Sequence, residues 1–261
     1  MEEEQLDINP LKSIWNTGRT AVGTYIMYSR DITTVQLAAS AGLDFVVFDL
    51  EHRPHTIETI HDLCQVARIL GMAPLVGPSD IASAEISRLL DVGASGVIIP
   101  HVKTALEVEL AVKAVRYPPE GERGRCGQAG HNLYKTERST SEELTHYNDG
   151  VSLFLKIESK SAIENLEELL APEGVDGVMV GPMDLSLDMR IPGEVHDESL
   201  TRLMDQVSRI CQKRNIHYGV FVPSTTELKL AVEMGASWVI VGSEMEFLSR
   251  SWKAVSQIQR S

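Results

Sequence analysis

Two apolar runs in the middle of the chain each stop at a carboxylate. Residues 151–157 read VSLFLKI and end at Glu158; residues 177–181 read GVMVG and end at Pro182 and Asp184. A pair of carboxylates one βα unit apart suits Mg2+ or Mn2+, which take oxygen ligands and keep positions open for water or substrate. The plain alternative is that both cap the helices that follow, since Glu158 lies just before Ser161 and Asp184 precedes a possible helical turn. Spacing alone leaves both readings open.

His52 closes another apolar run, DFVVFDLEH, with Asp49 and Glu51 beside it. A carboxylate next to an imidazole can fix its tautomer and suit it to proton transfer, although a lone histidine at a strand end is as a rule structural. His101, after GVIIP, is a second and weaker proton carrier, whereas His55, His61, His196 and His217 read as surface or structural residues. Asp91 falls near the end of a helix, where a negative charge opposes the helix dipole and calls for a cationic partner; a solvated aspartate is the default. Gly181, Pro182, Met183 and Asp184 form a turn whose backbone N–H groups at a helix start suit a carboxylate, with glycine allowing close approach. Cys126, in the basic stretch ERGRCGQ, has two readings, a reactive thiol or an incidental loop thiol.

The elements that must carry these residues repeat as a rhythm. Strands are expected at TAVGTYIMYS, DFVVFDLEH, APLVGP, GVIIPHV, VSLFLKI, GVMVG, HYGVFV and SWVIVGSEM, each followed by a helical pattern. Short β-branched apolar runs are what a parallel sheet covered on both faces requires, and several helices close on glycine. Eight βα units in about 250 residues predict an α/β fold of the (β/α)8 TIM-barrel type. The rival, a doubly wound open sheet, lacks a GxGxxG after its first strand. Residues 1–16 are expected as a tail or entry helix, residues 17–261 as the single barrel domain, and residues 118–149 as a long irregular segment. On a barrel the C-terminal strand ends build the active site. The carboxylates and His52 stand there.

Composition limits the partners. The 261 residues carry a formal charge of −13, which argues against nucleic acid. No apolar run approaches a membrane span, and the acidic start MEEEQLD does not resemble a secretory signal. The three cysteines are widely spaced and in no CxxC pattern, so reduced thiols and a cytoplasmic protein are expected.

The segments DFVVFDLEHRPH, GASGVIIPHVKTALE, RYPPEGERG, IESKSAIENLEELLAPEGVDGVMVGPMDLSLD and GASWVIVGSE resemble the class II pyruvate-dependent aldolases, the hydroxy-oxo-acid aldolases with citrate lyase β-subunits as distant relatives. The resemblance covers residues 17–250. It implies a TIM barrel whose last helix packs onto a neighbour, a homo-oligomer (a hexamer), and a 2-oxo acid as substrate. It also implies a divalent metal, Mg2+ or Mn2+ with Co2+ or Zn2+ as further possibilities. Glu158 and Asp184 match the metal ligands, and His52 the acid/base histidine. Asp49 belongs to the same motif, Asp91 matches a supporting aspartate, and Gly181 to Asp184 match the pyruvyl carboxylate site.

Two positions depart from the family pattern. An arginine expected at the end of strand 3 is Gly77, and a glutamine expected two residues before Glu158 is Lys156. Lys156 lies on the same strand face as Glu158. It can replace the arginine, compete with the metal, form a Schiff base or simply neutralise a carboxylate; Arg53 is another replacement. The leading expectation is a metal-dependent carbon–carbon lyase of aldolase type. The alternatives are a biosynthetic member repurposed for decarboxylation or cyclisation, and a non-catalytic oligomeric homologue.

Overall fold

The computed structural model describes residues 9–134 and 140–258; the first eight residues of the expected tail lie outside them. Eight strands pair in parallel and in sequence order, and the last closes on the first. They are β1 (Ala21–Ile26), β2 (Phe45–Asp49), β3 (Ala73–Gly77), β4 (Gly96–Ile99), β5 (Ser152–Ile157), β6 (Gly177–Val180), β7 (His217–Val222) and β8 (Trp238–Ser243). Helices alternate with them, which makes a (β/α)8 TIM barrel.

Strand alternation divides the core in two. Val46, Phe48, Val97, Leu155, Val178 and Val239 point outward beneath the helices. Phe45, Val47, Leu75, Ile98, Phe154, Met179 and Trp238 fill the barrel interior. Both faces are buried, so the strands read as continuous apolar runs rather than alternating ones. Inside, Gly219 makes room for the Trp238 indole, whose ring a Cβ would overlap.

The floor of the barrel is plugged by the helix Pro10–Asn16. Asn9 caps it, Pro10 starts it, and Leu11 is fully buried in the interior cluster. Asn9 Nδ2 donates to Ser152 Oγ at 2.7 Å, and Trp15 stacks on His217 with ring centroids 3.7 Å apart. These contacts sit at the N-terminal strand ends, which leaves the opposite end as the open mouth.

Two expectations change. The segment expected to be irregular holds a 3-10 turn, Gly130–Asn132, and a helix, Thr140–Gly150. Its sequence is mostly polar, and its inward face mixes Leu144 and Tyr147 with the buried polar residues Glu143 and Asn148. The helix after β5 is two pieces, Lys160–Glu164 and Leu166–Leu169, broken at Asn165. Among the described residues no helix is long and apolar enough to cross a membrane.

Candidate active site

Past the last core layer, the inward-facing residues turn polar. Tyr25, Asp49 and Glu51, Gly77, Pro100, and Lys156 from β1 to β5 line a cavity of about 30 Å3 in the mouth. Asp49 pairs in register with Gly77, and Lys156 with Met179. A cleft between β7 and its helices is mostly apolar, with His196 and Glu227 among its lining; the small polar cavity is the one at the C-terminal strand ends, where a barrel carries its site.

At the centre is a closed ring in which two carboxylates alternate with a lysine and a histidine. Lys156 Nζ lies 2.5 Å from Glu158 Oε1 and 3.6 Å from Glu51 Oε2. His101 Nε2 lies 2.6 Å from Glu51 Oε1, and its Nδ1 3.1 Å from Glu158 Oε2. The His101 backbone N–H also donates to Glu158 Oε2 at 3.1 Å. That convergence depends on a left-handed backbone at His101, φ 54°, an uncommon conformation for a residue with a Cβ.

Burial opposes the charge on Lys156, but the carboxylates of Glu158 and Glu51 outweigh it and raise its pKa. Burial likewise pushes the Glu158 carboxyl upward, against the pull of Lys156 and His101. With an ammonium at 2.5 Å, we assign Glu158 as the ionised partner of a charged Lys156. Burial, chiefly, also raises the Tyr25 hydroxyl, so it stays a neutral donor facing the same cavity.

His52 stands at the rim. Its side chain is 56% exposed, and Nε2 is 3.5 Å from Glu51 Oε1. Its carboxylate neighbour is therefore Glu51. Asp49 instead accepts backbone N–H bonds from Glu51 at 2.8 Å and His52 at 3.2 Å, fixing the turn. Arg53 lies over the Tyr28 ring, 5.1 Å from its centroid, and Nη1 donates to the Tyr28 hydroxyl at 3.1 Å. Tyr28 is held in turn because Glu244, just past β8, accepts the N–H groups of Met27, Tyr28 and Ser29 at 2.7–3.1 Å.

Asp184 lies in the first turn of the seven-residue helix Pro182–Asp188, half-buried. Pro182 is buried and Met183 exposed. Gly181 packs directly on Glu158: a Cβ there would fall 2.9 Å from Glu158 Cγ. Asp91 is elsewhere. It pairs with buried Arg123 at 2.6 Å, with His131 Nδ1 at 3.8 Å, beneath the β4–β5 segment. Within one chain the structure therefore joins Asp49, His52, Arg53, Lys156, Glu158 and Gly181 in one region, and Asp91 in another.

Glu51 and His101 hold the centre of the site; the sequence offers His101 as the weaker second histidine and Glu51 only as a neighbour of His52. Glu51 shares the inward parity of Val47 and Asp49, a signal readable from strand alternation. His101 does not share the parity of Ile98 and Pro100, and only its left-handed backbone turns it inward.

A divalent ion fits these donors in part. Glu158 Oε1 is buried and, although 2.5 Å from Lys156 Nζ, receives no hydrogen bond of acceptable angle. Such an oxygen is available to a non-directional cation. The missing Cβ at Gly181 lets Glu158 pack against the backbone there, and carboxylate oxygens suit a hard ion. Among the described residues no three His, Cys, Asp or Glu side chains form a ready-made cage; the ion would complete its shell with water and substrate.

Comparison with known proteins agrees with this geometry. A 4-hydroxy-2-oxo-heptane-1,7-dioate aldolase of Escherichia coli is 32% identical over 250 residues, covering 95% of this chain and 94% of that one. The crystal structure of an HpcH/HpaI aldolase from Desulfitobacterium hafniense superposes with a TM-score of 0.92 at 31% identity, over 96% and 97% of the two chains. The citrate synthase SbnG structure gives 0.85 at 25% identity, over 96% and 97%. The HpcH/HpaI aldolase/citrate lyase family matches residues 24–250, and the chain belongs to that family.

Proposed function

We propose that this carbon–carbon lyase cleaves, or in reverse forms, the C3–C4 bond of a 4-hydroxy-2-oxo acid, with Glu158 and Asp184 holding a divalent cation. The observation that carries the reading is the strand-end group of Glu51, His101, Lys156 and Glu158 in the barrel mouth, in a chain of this family. Mg2+ and Mn2+ suit the oxygen donors; Co2+ and Zn2+ follow.

When bound, the ion supplies a Lewis acid that withdraws charge from the 2-oxo group. The protein's own residues do the rest. His52, exposed at the rim and steadied by Glu51, takes the proton from the C4 hydroxyl. The C3–C4 bond breaks, the C4 fragment leaves as a carbonyl, and the bonding pair becomes the enolate of the 2-oxo acid. The proton returns to C3. Gly181 lets the substrate approach the backbone, and Lys156 offers positive charge to the oxo or carboxylate oxygens. Arg53, steadied by Tyr28, stands at the rim for the distal end of the substrate.

A second reading, decarboxylation or cyclisation through the same enolate, is favoured by Gly77 and Lys156, which replace the family's arginine and glutamine. A non-catalytic role fits poorly with the assembled ring. We also propose a cytoplasmic homo-oligomer, a hexamer by family resemblance. The helix Glu244–Ile258 buries none of its residues, and Trp252 is 67% exposed.

Oxaloacetate decarboxylation tests the enolate step without knowledge of the acceptor. Turnover should require Mg2+ or Mn2+, stop on chelation, and be lost in Glu158→Ala. Turnover that persists unchanged after chelation and in that variant would sink the reading.

A further inference from the structure

The two departures from the family pattern meet in one cavity, and the geometry there links them. Resting on the reading of Glu158 as a metal ligand, we propose that Lys156 is a resident counter-cation that competes with the divalent ion. Gly77 provides the space into which its ammonium withdraws when the ion binds.

Both carboxylate oxygens of Glu158 already face nitrogen atoms. Oε2 faces the His101 backbone N–H and Nδ1, each at 3.1 Å, and Oε1 faces Lys156 Nζ at 2.5 Å. A divalent ion coordinates oxygen at about 2.0–2.6 Å, so it and the ammonium cannot share Oε1. The ammonium must swing away, and a second carboxylate awaits it: Glu51 Oε2, now 3.6 Å off. The swing needs room. The cavity of about 30 Å3 beside Lys156 is lined by Gly77, Glu51, Asp49 and the Tyr25 ring. It is open at Gly77, where a Cβ would meet nothing closer than 3.8 Å.

Like charges held close repel, more strongly where water is excluded. A bulky cation at position 77 would therefore both fill the cavity and confront Lys156. A glycine there and a lysine at 156 are compatible; an arginine there is not. The side chain at each position thus constrains the other. Lys156 lowers the affinity of the empty site for metal, and Gly77 limits how much.

Titration of the full-length protein with Mn2+, followed by the electron paramagnetic resonance signal of the free ion, separates the parts. Lys156→Gln should bind Mn2+ about 10-fold or more tightly than wild type, since it removes a unit charge at contact distance. Gly77→Val should bind it several-fold more weakly by filling the withdrawal space. In the double variant the Gly77→Val effect should vanish, because no ammonium needs the space. Circular dichroism verifies each fold, and Lys156→Met supplies the comparison if the glutamine variant does not fold. If wild type binds Mn2+ and Glu158→Ala abolishes binding, but Lys156→Gln leaves it unchanged or weaker, the competition is refuted while the metal reading stands. If neither wild type nor Lys156→Gln binds Mn2+, the metal reading fails and the proposal with it. Binding only in Lys156→Gln supports the competition in its strongest form.

Discussion

Two clusters of buried charge in this barrel have similar residue types and opposite surroundings. Under the β4–β5 segment, Arg123 pairs with Asp91, stacks 4.6 Å from the centroid of the Tyr117 ring and is 1% exposed. Nearby, Arg68 donates to the His131 carbonyl at 2.7 Å, and Arg125 and Asn132 hold Glu143. These groups tie the segment to the barrel wall. At the mouth, Lys156 and Glu158 are as tightly paired, but beside open volume, with exposed His52 and His101 above them. Charge density alone does not separate a structural cluster from a chemical one. Nearby space does not either, since Asp91 lines a groove of about 400 Å3 together with His61; a place at the C-terminal strand ends does.

The contrast breaks most visibly through substitution. Glu158→Ala should abolish divalent-ion binding and lower kcat/KM by at least about 10³, since it removes a ligand of the charge-stabilising ion; steady-state kinetics and metal analysis measure both. In the other cluster, Arg123→Met should cost about 3 kcal/mol of stability, because it strands the Asp91 carboxylate and loses a buried cation. Urea denaturation reads that value, and a loss below about 1 kcal/mol would make the cluster dispensable.

Acid should distinguish the clusters too. Burial, followed by Arg123 and Arg68, depresses the His131 pKa to about 4. The unfolded chain then binds more protons than the folded one between about 6.5 and 4. The contribution is fully present above pH 6.5 and is lost as pH falls, by up to roughly 3 kcal/mol. His131→Leu should flatten that part of the stability profile; an unchanged slope would place the acid sensitivity elsewhere.

The smallest effect sharpens the comparison within the mouth. Gly77→Ala adds a methyl group to open space, so stability should stay equal or rise by less than about 1 kcal/mol. Gly181→Ala, whose Cβ would lie 2.9 Å from Glu158 Cγ, should displace the carboxylate and reduce metal affinity about tenfold at similar stability. Calorimetry on the two variants tests the pair; equal metal affinities would show that Gly181 is not needed for close packing on Glu158.

Much of this was readable in advance because a barrel strand carries its alternation past its last hydrogen bond. Phe45, Val47 and Asp49 point inward, so Glu51 lies on their parity; Phe154 does the same for Lys156 and Glu158. Strand count, closure and the strand-end carboxylates followed from apolar runs and their stops. What escaped obeys other physics. His101 is a second candidate by residue type, but the left-handed backbone that turns it onto Glu51 and Glu158 is not announced by the sequence. The helix Thr140–Gly150 hid behind polar residues because half of its buried face is polar, Glu143 and Asn148 beside Leu144 and Tyr147. Asp91, by contrast, has the cationic partner that its place near a helix end calls for, in Arg123.

The carboxylate of Glu244 begins the exposed C-terminal helix and at the same time holds three successive N–H groups after β1. Tyr28 is one of those three residues, and Arg53 rests on its ring. The helix with no buried residue is thus hinged on the carboxylate that orders the chain beneath Arg53 at the mouth. Any load on that helix therefore acts as a lever on the entrance, with Glu244 as its fulcrum.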